Sequence, residues 1–349
     1  MALDLSDRFA TRLLTWFDAH GRHDLPWQHP RTPYRVWLSE IMLQQTQVSV
    51  VIPYFQRFVA ALPDLPALAA APRDQVLALW SGLGYYARAR NLHTAAQRCV
   101  ELHDGDLPHD FDALLALPGI GRSTAGAILA QAWDDRFAIL DGNVKRLFAR
   151  FHGIEGWPGT PIIEKQLWEL ANAHLPHSRL ADFTQAQMDL GATLCTRANP
   201  DCTRCPLHED CVAFASDRTA TLPTRRPGKT KPERETHVVW MEDRDGRILL
   251  QRRPPTGVWA SLWALPQFDT SADRDDWLAS QGCIASSTEL DAIEHVFTHF
   301  RLHIHPLRAR LSTARMRVSD NDDQRWATRD DLATLGIPAP IRRLLESTP

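Results

Sequence analysis

The chain lacks any long hydrophobic run, since no stretch of about 18 consecutive apolar residues occurs anywhere in its 349 residues. Its short apolar N-terminus has no basic flank, which argues against a secretory signal. An excess of positive charge is also missing: the formal net charge is −3, so any surface for nucleic acid must be local. We therefore expect a cytoplasmic, non-membrane protein, and the length indicates two domains.

Cysteine is scarce, but four of the six cysteines fall close together, with the spacing Cys195-x6-Cys202-x2-Cys205-x5-Cys211. In a reducing compartment such a group is not expected to form disulfides. Thiolates favour zinc or an iron–sulfur cluster. Zinc sites usually pair two short Cys-x-x-Cys arms, and only one such arm is present here, which favours the cluster. The two remaining cysteines are expected to be small buried hydrophobic residues: Cys99 and Cys283.

Glycine and proline interrupt a helical pattern at Leu-Pro-Gly-Ile-Gly, residues 117–121. Apolar residues recur at helical spacing on both sides, so the pattern predicts helix, tight hairpin, helix. We expect both Gly119 and Gly121 to adopt positive φ and the start of the second helix to hold a phosphate. Asp141 follows about five helical turns beyond the hairpin. By itself Asp141 is compatible with a plain helix cap before Val144.

Residues 34–58 read as one nearly buried helix, with Glu40, Gln44 and Gln47 on one face at i, i+4 and i+7. A carboxyl group among tryptophan and aliphatic side chains should have a raised pKa and be able to donate a proton near neutral pH. The alternative is an ordinary solvated glutamate.

A Gly-Leu-Gly turn then precedes Tyr85 and Tyr86, followed by a helix rich in arginine. Such a turn can present a stacking ring and phosphate contacts to DNA. Packing of the tyrosines in the core is the alternative.

Residues 216–235 contain prolines and basic residues but few apolar ones, and are expected to form an exposed linker. Beyond it, strands are predicted at 238–241, 248–251 and 300–305, with short helices at 271–280 and 328–335. This pattern predicts a small α+β domain.

Several of these motifs carry a family resemblance. The hairpin followed by Asp141 resembles the helix-hairpin-helix DNA glycosylases, and Ser39–Val48 closely resembles the motif of adenine DNA glycosylases. The cysteine spacing is similar to their [4Fe-4S] loop. The C-terminal part resembles their Nudix-like domain, and residues 296–300 its Phe-Ser/Thr-His loop. The resemblance implies a mainly α helix-hairpin-helix glycosylase domain with a [4Fe-4S] loop over residues 1–215, the linker, and an α+β Nudix-like domain over 236–349.

The resemblance also implies roles for individual residues. Glu40 would protonate a flipped adenine and Asp141 would be the essential carboxylate. The substrate would be double-stranded DNA with adenine opposite 8-oxoguanine or guanine, bound by a monomer. The cluster ligands would be Cys195, Cys202, Cys205 and Cys211, and the residues for DNA or lesion binding would be Gln44, Gln45, Tyr85, Gly119, Gly121, Ser123, Lys145, Phe297, Thr298 and His299.

Three alternatives stay open. An endonuclease III-like lyase would carry its nucleophilic lysine where this chain has Ser123, although Lys145 could still trap an opened sugar. A non-catalytic lesion sensor would bind mismatched DNA and release no base. A nucleotide-pool hydrolase is disfavoured, because Leu278 and Ala279 stand where the Nudix signature would place glutamates.

Overall fold

The computed structural model describes residues 5–228, 230–281, 284–312 and 323–347. They divide into two compact units: the described residues of Met1–Ala70 with Thr94–Gly228, and those of Ala71–His93 with Lys229–Pro349. Residues 71–93 thus group with the second unit. The predicted domain boundaries stay a prediction. Cys283 lies outside the described residues.

Helices dominate the first two thirds of the described chain. Two short 3₁₀ segments, Cys202–Arg204 and His208–Asp210, lie in the cysteine loop. The α-helices are, in order, α1 (Leu5–His20), α2 (Pro33–Leu43), α3 (Val48–Ala61), α4 (Leu65–Ala70), α5 (Arg73–Leu79), α6 (Ala87–Leu102), α7 (Phe111–Leu115), α8 (Arg122–Trp133), α9 (Gly142–Phe151), α10 (Pro161–Ala173), α11 (Leu180–Thr193), α12 (Val212–Ala215), α13 (Ser271–Gln281), α14 (Arg329–Ala333) and α15 (Ala339–Ser347).

The core of the first unit forms where the apolar stripes of several helices meet. Phe9, Leu13 and Phe17 recur at helical spacing on α1 and are buried, as an amphipathic helix requires. They pack with buried residues of α9 and α11, among them Phe148 and Phe183. The ring of Phe9 stacks on that of Phe148 with the centroids 5.5 Å apart. This core holds the N-terminal end of α9 in a fixed place.

The helix predicted over residues 34–58 is wrong as a single element. α2 begins at a cap formed by the Thr32 side chain, with Pro33 in its first turn, and ends at Leu43. Gln45 then adopts a left-handed backbone with φ of 59°, and α3 starts at Val48. Because this break redirects the chain, Gln44 lies beyond the helix and no longer shares the face of Glu40.

The predicted helical hairpin is present between α7 and α8. Gly119 has a φ of 83°, as expected, but Gly121 has a φ of −99° and caps α8, so positive φ at both glycines was wrong. α8 also ends sooner than five turns would require. It stops at Trp133 before a left-handed Asp134, and a stretch without helix or strand leads from there to Asp141.

The second unit contains a mixed β-sheet with the order β3-β2-β1-β7-β5. β1 and β7 are parallel over the register Glu233↔Arg301 to Glu242↔Arg310. Buried Val239 and Leu307 belong to the core formed under α13. β4 pairs with β1, β6 with β7 and β8 with β2. The strands are β1 (Glu233–Glu242), β2 (Ile248–Arg252), β3 (Trp263–Ala264), β4 (Gln267–Phe268), β5 (Ile284–Glu289), β6 (Ile293–Val296), β7 (Arg301–Leu311) and β8 (Gln324–Ala327).

A search of the described residues finds no helix with the length and apolar character needed to cross a lipid bilayer.

Gly126 gives a test of how tightly the segment before Asp141 is packed. A Cβ atom at Gly126 of α8 would clash with the carbonyl oxygen of Ala138. We expect Gly126→Ala to lower the free energy of unfolding by about 1–3 kcal/mol, because backbone rather than a flexible side chain must move. Denaturant titration measures this. Gly142→Ala is the matched control, since nothing lies within 4 Å of its added Cβ, and an equal loss there would contradict the packing argument.

Candidate active site

Glu40 lies in the last turns of α2 and faces α8. Its Oε1 atom accepts a hydrogen bond from the Nε2 atom of Gln131 at 2.9 Å. Gln131 is 3% exposed, on an otherwise apolar stretch of α8. Trp37, Leu38 and Met42 of α2 are fully buried, so the carboxyl group stands at the edge of the apolar core that the sequence predicted.

Asp141 caps the N-terminus of α9. Its Oδ1 atom accepts a hydrogen bond from the backbone N–H of Val144 at 2.8 Å, and its Oδ2 atom accepts one from the Asn143 side chain at 3.3 Å. The helix-cap interpretation of Asp141 is therefore geometrically correct. Capping also fixes the direction of the carboxylate, so a cap and a catalytic group are compatible in one residue.

The surroundings shift both carboxyl groups. The pKa of Glu40 is raised to about 7, and burial is the largest cause. The hydrogen bond from Gln131 lowers this pKa, whereas the negative charge of Asp141 raises it. Burial also raises the pKa of Asp141, against the hydrogen bonds from Val144 and Asn143 and the positive charge of Arg146. The expected helix-terminal setting of Asp141 is thus present, but it is a buried one.

Glu40 and Asp141 differ in the number of donors that stabilise their charged forms. Glu40 accepts one bond from a neutral amide, whereas Asp141 accepts backbone and side-chain bonds and lies near a guanidinium group. Two such carboxyl groups titrate as a pair. The hydrogen bonds therefore favour the ionised form more strongly at Asp141 than at Glu40.

A chain of hydrogen bonds leads from Asp141 to the cysteine loop. Arg146 of α9 donates from Nη2 to the Asn143 side chain at 2.9 Å and from Nε to the carbonyl oxygen of Cys195 at 2.7 Å. One helical turn later, Arg150 is 2% exposed and donates to the carbonyl oxygen of Thr196 at 2.7 Å. The cap residue and the start of the cysteine loop are thereby held by one face of α9.

The four loop cysteines line one cavity, together with apolar side chains of α9 and the loop such as Phe151 and Leu207. Burial raises the pKa of Cys205 and Cys211. Within the described ranges, no three His, Cys, Asp or Glu side chains are already arranged as a metal site. The donor set nevertheless fits a thiolate-bound group, because four sulfur ligands share one enclosed, largely apolar space. As predicted, Cys99 is buried and outside this loop.

The hairpin places its residues in different settings. An added Cβ at Gly121 would meet nothing within 4 Å, so the start of α8 is open to an approaching group. Ser123, predicted to bind DNA, accepts a hydrogen bond from the backbone N–H of Leu140 at 2.9 Å and so braces the segment before Asp141. Lys145 is paired with Glu164 of α10 at 2.6 Å. DNA contacts of these residues stay a prediction.

In the second unit, the structure brings Tyr85 and Thr298 together. Their hydroxyl groups are hydrogen bonded at 3.0 Å, and Tyr85 is 48% exposed with a φ of 48°. Phe297, Thr298 and His299 form the turn between β6 and β7, closed by a bond from the Phe297 N–H to the Phe300 carbonyl oxygen. The Phe297 ring stacks on Phe300, while Thr298 and His299 are exposed.

Sequence reasoning missed Gln131 and Arg146. A lone glutamine inside the apolar run of α8 was the available signal for Gln131. Nothing local marks Arg146, whose role depends on the distant Cys195. Gln45 and Tyr85 were both singled out, and both have left-handed backbones, a conformation that residues other than glycine keep only when the surrounding structure holds it.

Comparison with known proteins agrees with this geometry. Residues 38–173 match the HhH-GPD superfamily of base excision DNA repair proteins, and residues 237–347 match the NUDIX domain. The fold and the site thus define a base excision repair protein of the helix-hairpin-helix class with an appended Nudix domain.

Relatives over nearly the whole length narrow the assignment. The chain is 36% identical over 340 residues to an adenine DNA glycosylase of Buchnera aphidicola, covering 97% of each chain. It is 31% identical to that of Mus musculus and 30% identical to that of Homo sapiens, covering 96% of this chain and 77% and 73% of theirs. The chain belongs to the adenine DNA glycosylase family. The predicted fold class, family and assignment as a base excision repair glycosylase are confirmed.

Solved structures show the same helical fold. A thermostable thymine-DNA glycosylase has a TM-score of 0.56 at 27% identity, covering 60% of this chain and 97% of its own. A non-covalent endonuclease III–DNA complex has a TM-score of 0.52 at 20% identity, covering 62% and 99%. The latter likeness concerns the fold alone.

The pKa of Glu40 is directly measurable. We expect carbon-13 NMR titration of the free protein to place it near 7. Gln131→Leu should raise this pKa, because the carboxylate loses a donor, and Asp141→Asn should lower it, because a neighbouring negative charge is removed. Titration of Glu40 near the ordinary value of about 4.3 for a solvated glutamate would show that its carboxyl group is not desolvated.

Proposed function

We propose that the protein is a monofunctional glycosylase that excises adenine paired with 8-oxoguanine or guanine from double-stranded DNA, acting as a monomer in the cytoplasm. The observation that carries this proposal is the pair of half-buried carboxyl groups, Glu40 with a pKa near neutrality and Asp141 fixed at a helix N-terminus. This pair supplies one proton donor and one anion to the same site.

In the first step, Glu40 donates its proton to N7 of a flipped adenine, and the electron pair of the glycosidic bond can then leave with a neutral base. Moving the adenine out of the duplex costs a few kcal/mol, because the base must be unstacked and unpaired. A carboxyl group with a pKa of about 7 is protonated often enough at neutral pH to act as the acid. The side-chain amide of Gln131 holds the Glu40 carboxyl group in place by a hydrogen bond.

In the second step, positive charge develops on the sugar as the glycosidic bond breaks. Asp141 stabilises that charge, either electrostatically or through a transient covalent bond to the sugar carbon. Its orientation is set before the reaction by Val144 and Asn143, so little reorganisation is needed. Water then adds to the sugar and leaves an abasic site.

The remaining predicted residues are assigned to holding the bent duplex. The open start of α8 at Gly119 and Gly121 suits a backbone phosphate. Gln44 and Gln45, in the break after α2, are assigned to probing the opened base pair. Tyr85 is assigned as the wedge beside the lesion, with Phe297, Thr298 and His299 stacking on or bonding to the 8-oxoguanine nucleotide.

A lyase function is less well supported. The hairpin position of the lyase lysine is Ser123, whose hydroxyl is engaged with Leu140. Lys145 is the nearest alternative amine by sequence, and it is held by Glu164 at 2.6 Å. Any strand cleavage through Lys145 would therefore be slow relative to base release.

We further propose that Cys195, Cys202, Cys205 and Cys211 hold a [4Fe-4S] cluster. When bound, the cluster would tie the ends of the loop together without taking part in base excision. The loop would then present Arg204, which is exposed and 3.4 Å from Asp201, to a DNA phosphate. Arg146 and Arg150 secure the same loop to α9 from inside.

Single-turnover assays test the catalytic assignment. On a duplex with adenine opposite 8-oxoguanine, we expect adenine release, with strand breaks only after alkali. Glu40→Gln should slow release by about 10²–10⁴-fold, because the proton donor is lost. Asp141→Asn should slow it by at least about 10²-fold, because the charge is lost.

In the wild type the rate of adenine release should fall as the pH rises through about 7, since only protonated Glu40 is active.

Glu169→Gln is the matched control, because it removes an exposed carboxylate on α10 that is 3.9 Å from Lys165. It should leave the rate unchanged. Retention of most activity by Glu40→Gln, with loss in Asp141→Asn, would show that Glu40 is not the acid. Release of a damaged pyrimidine with immediate nicking would indicate the lyase, and binding without base release would indicate the sensor.

Metal analysis of the purified protein tests the cofactor. We expect iron and acid-labile sulfide in equal amounts, lost in Cys202→Ser and retained in Cys99→Ser, because Cys99 is buried outside the loop. Detection of zinc without acid-labile sulfide would show that the four cysteines hold zinc and not an iron–sulfur cluster.

A further inference from the structure

The segment that carries Tyr85 is anchored to the sheet of the second unit through Asp74. Both carboxylate oxygens of Asp74, in the first turn of α5, accept hydrogen bonds from Arg252 at 2.9 and 3.0 Å. Trp263 donates from Nε1 to the same carboxylate at 3.3 Å, and the Arg252 guanidinium lies 4.3 Å from the centre of the Trp263 ring. Arg252 and Trp263 are paired across β2 and β3, so the three side chains form one clamp.

The clamp is shielded enough to be energetically meaningful. The side chains of Arg252 and Asp74 are 26% and 29% exposed, and a bidentate pair is geometrically specific as well as strong. Burial raises the pKa of Asp74, but the bonds from Arg252 and Trp263 outweigh it and hold the pKa below its ordinary value. A fixed guanidinium–carboxylate contact thus joins α5 to the end of β2.

Further contacts continue the attachment along the segment. A Cβ atom on Gly336 would lie 2.7 Å from the Cβ of Leu77, so backbone and helix touch closely there. The Tyr86 hydroxyl donates to the carbonyl oxygen of Ile337 at 3.2 Å, and Arg90 donates to that of Ala260 at 2.8 Å. These contacts surround the turn in which Tyr85 takes its left-handed backbone.

The attachment ends at the β6–β7 turn, where Tyr85 and Thr298 share a hydrogen bond of 3.0 Å. Both residues are exposed, and a hydroxyl pair in contact with water contributes little by itself. The positive φ of Tyr85 is supported locally, because Trp80 and Arg88 both donate to the carbonyl oxygen of Gly84. The clamp and the Tyr86 and Arg90 contacts then attach this turn, through α5 and α6, to the rest of the second unit.

We propose that Asp74 and Arg252 are positioning residues that hold Tyr85 against the Thr298 turn, so that the wedge and the lesion-reading turn act as one element. The role in lesion selectivity rests on the proposed function. If the clamp is released, Tyr85 loses its fixed relation to Thr298 while the carboxyl pair of the first unit is untouched. The expected defect is therefore in discrimination between 8-oxoguanine and guanine, not in the chemical step.

The scarcity of tyrosine allows a direct test that needs no DNA. The chain has four tyrosines, Tyr34, Tyr54, Tyr85 and Tyr86, so 3-fluorotyrosine labelling should give four fluorine-19 resonances, with Tyr85 assigned by Tyr85→Phe. Asp74→Asn should shift or broaden the Tyr85 and Tyr86 resonances and leave the other two unchanged.

The matched control is Asp243→Asn, which removes an ion pair with Arg247, 2.7 Å long, in the turn between β1 and β2 of the same unit. It should leave all four resonances in place. An unchanged Tyr85 resonance in Asp74→Asn would overturn the positioning role, and so would an equal change in the control.

Single-turnover excision then tests selectivity. Asp74→Asn and Arg252→Gln should slow excision opposite 8-oxoguanine by about tenfold, equivalent to the loss of one contact of about 1.4 kcal/mol, and leave excision opposite guanine nearly unchanged. Arg252→Lys should restore part of the preference. An equal loss on both substrates would mean a structural role only. Absence of excision by the wild type would overturn the proposed function instead, and the fluorine-19 result would still decide the positioning role.

Discussion

The site depends on one interaction, the cap that Asp141 places on α9. A carboxylate that accepts a hydrogen bond from a backbone N–H cannot rotate freely. Its partial burial removes water that would otherwise stabilise its negative charge. The core around Phe9 and Phe148 fixes α9, Arg146 ties the same helix to the cysteine loop, and Ser123 braces the approach to Asp141. The position and direction of the Asp141 carboxylate are thus a consequence of how α9 begins.

Glu40 lies in the same apolar surroundings as Asp141 but has fewer hydrogen-bond donors. It has one neutral donor where Asp141 has several, and this difference favours the ionised form more at Asp141 than at Glu40. Neither residue is unusual by itself. The difference arises because Gln131 of α8 offers Glu40 a side-chain N–H, whereas the start of α9 offers Asp141 both a backbone and a side-chain N–H.

Local patterns in the sequence predicted the helical hairpin and nominated the candidate site residues, whose roles stay a prediction. Glu40 among apolar neighbours, Asp141 after the hairpin and the cysteine spacing all depend on residues close in the chain. The break at Gln45 was not predictable, because its left-handed backbone is imposed by tertiary structure on a sequence that favours helix. The bond from Gln131 to Glu40 and the grouping of residues 71–93 with the second unit also join distant parts of the chain, which one sequence does not reveal.

The pair between Lys145 and Glu164 affects how DNA binding responds to salt. A free lysine that contacts a phosphate displaces a condensed counterion, which makes affinity fall steeply as salt concentration rises. A lysine already neutralised by a carboxylate exchanges one anionic partner for another, and the freed Glu164 must take up a cation from solution. If Lys145 contacts a phosphate as proposed, the salt dependence of binding is therefore shallower than the number of basic residues at the duplex suggests, and Glu164 sets part of that difference.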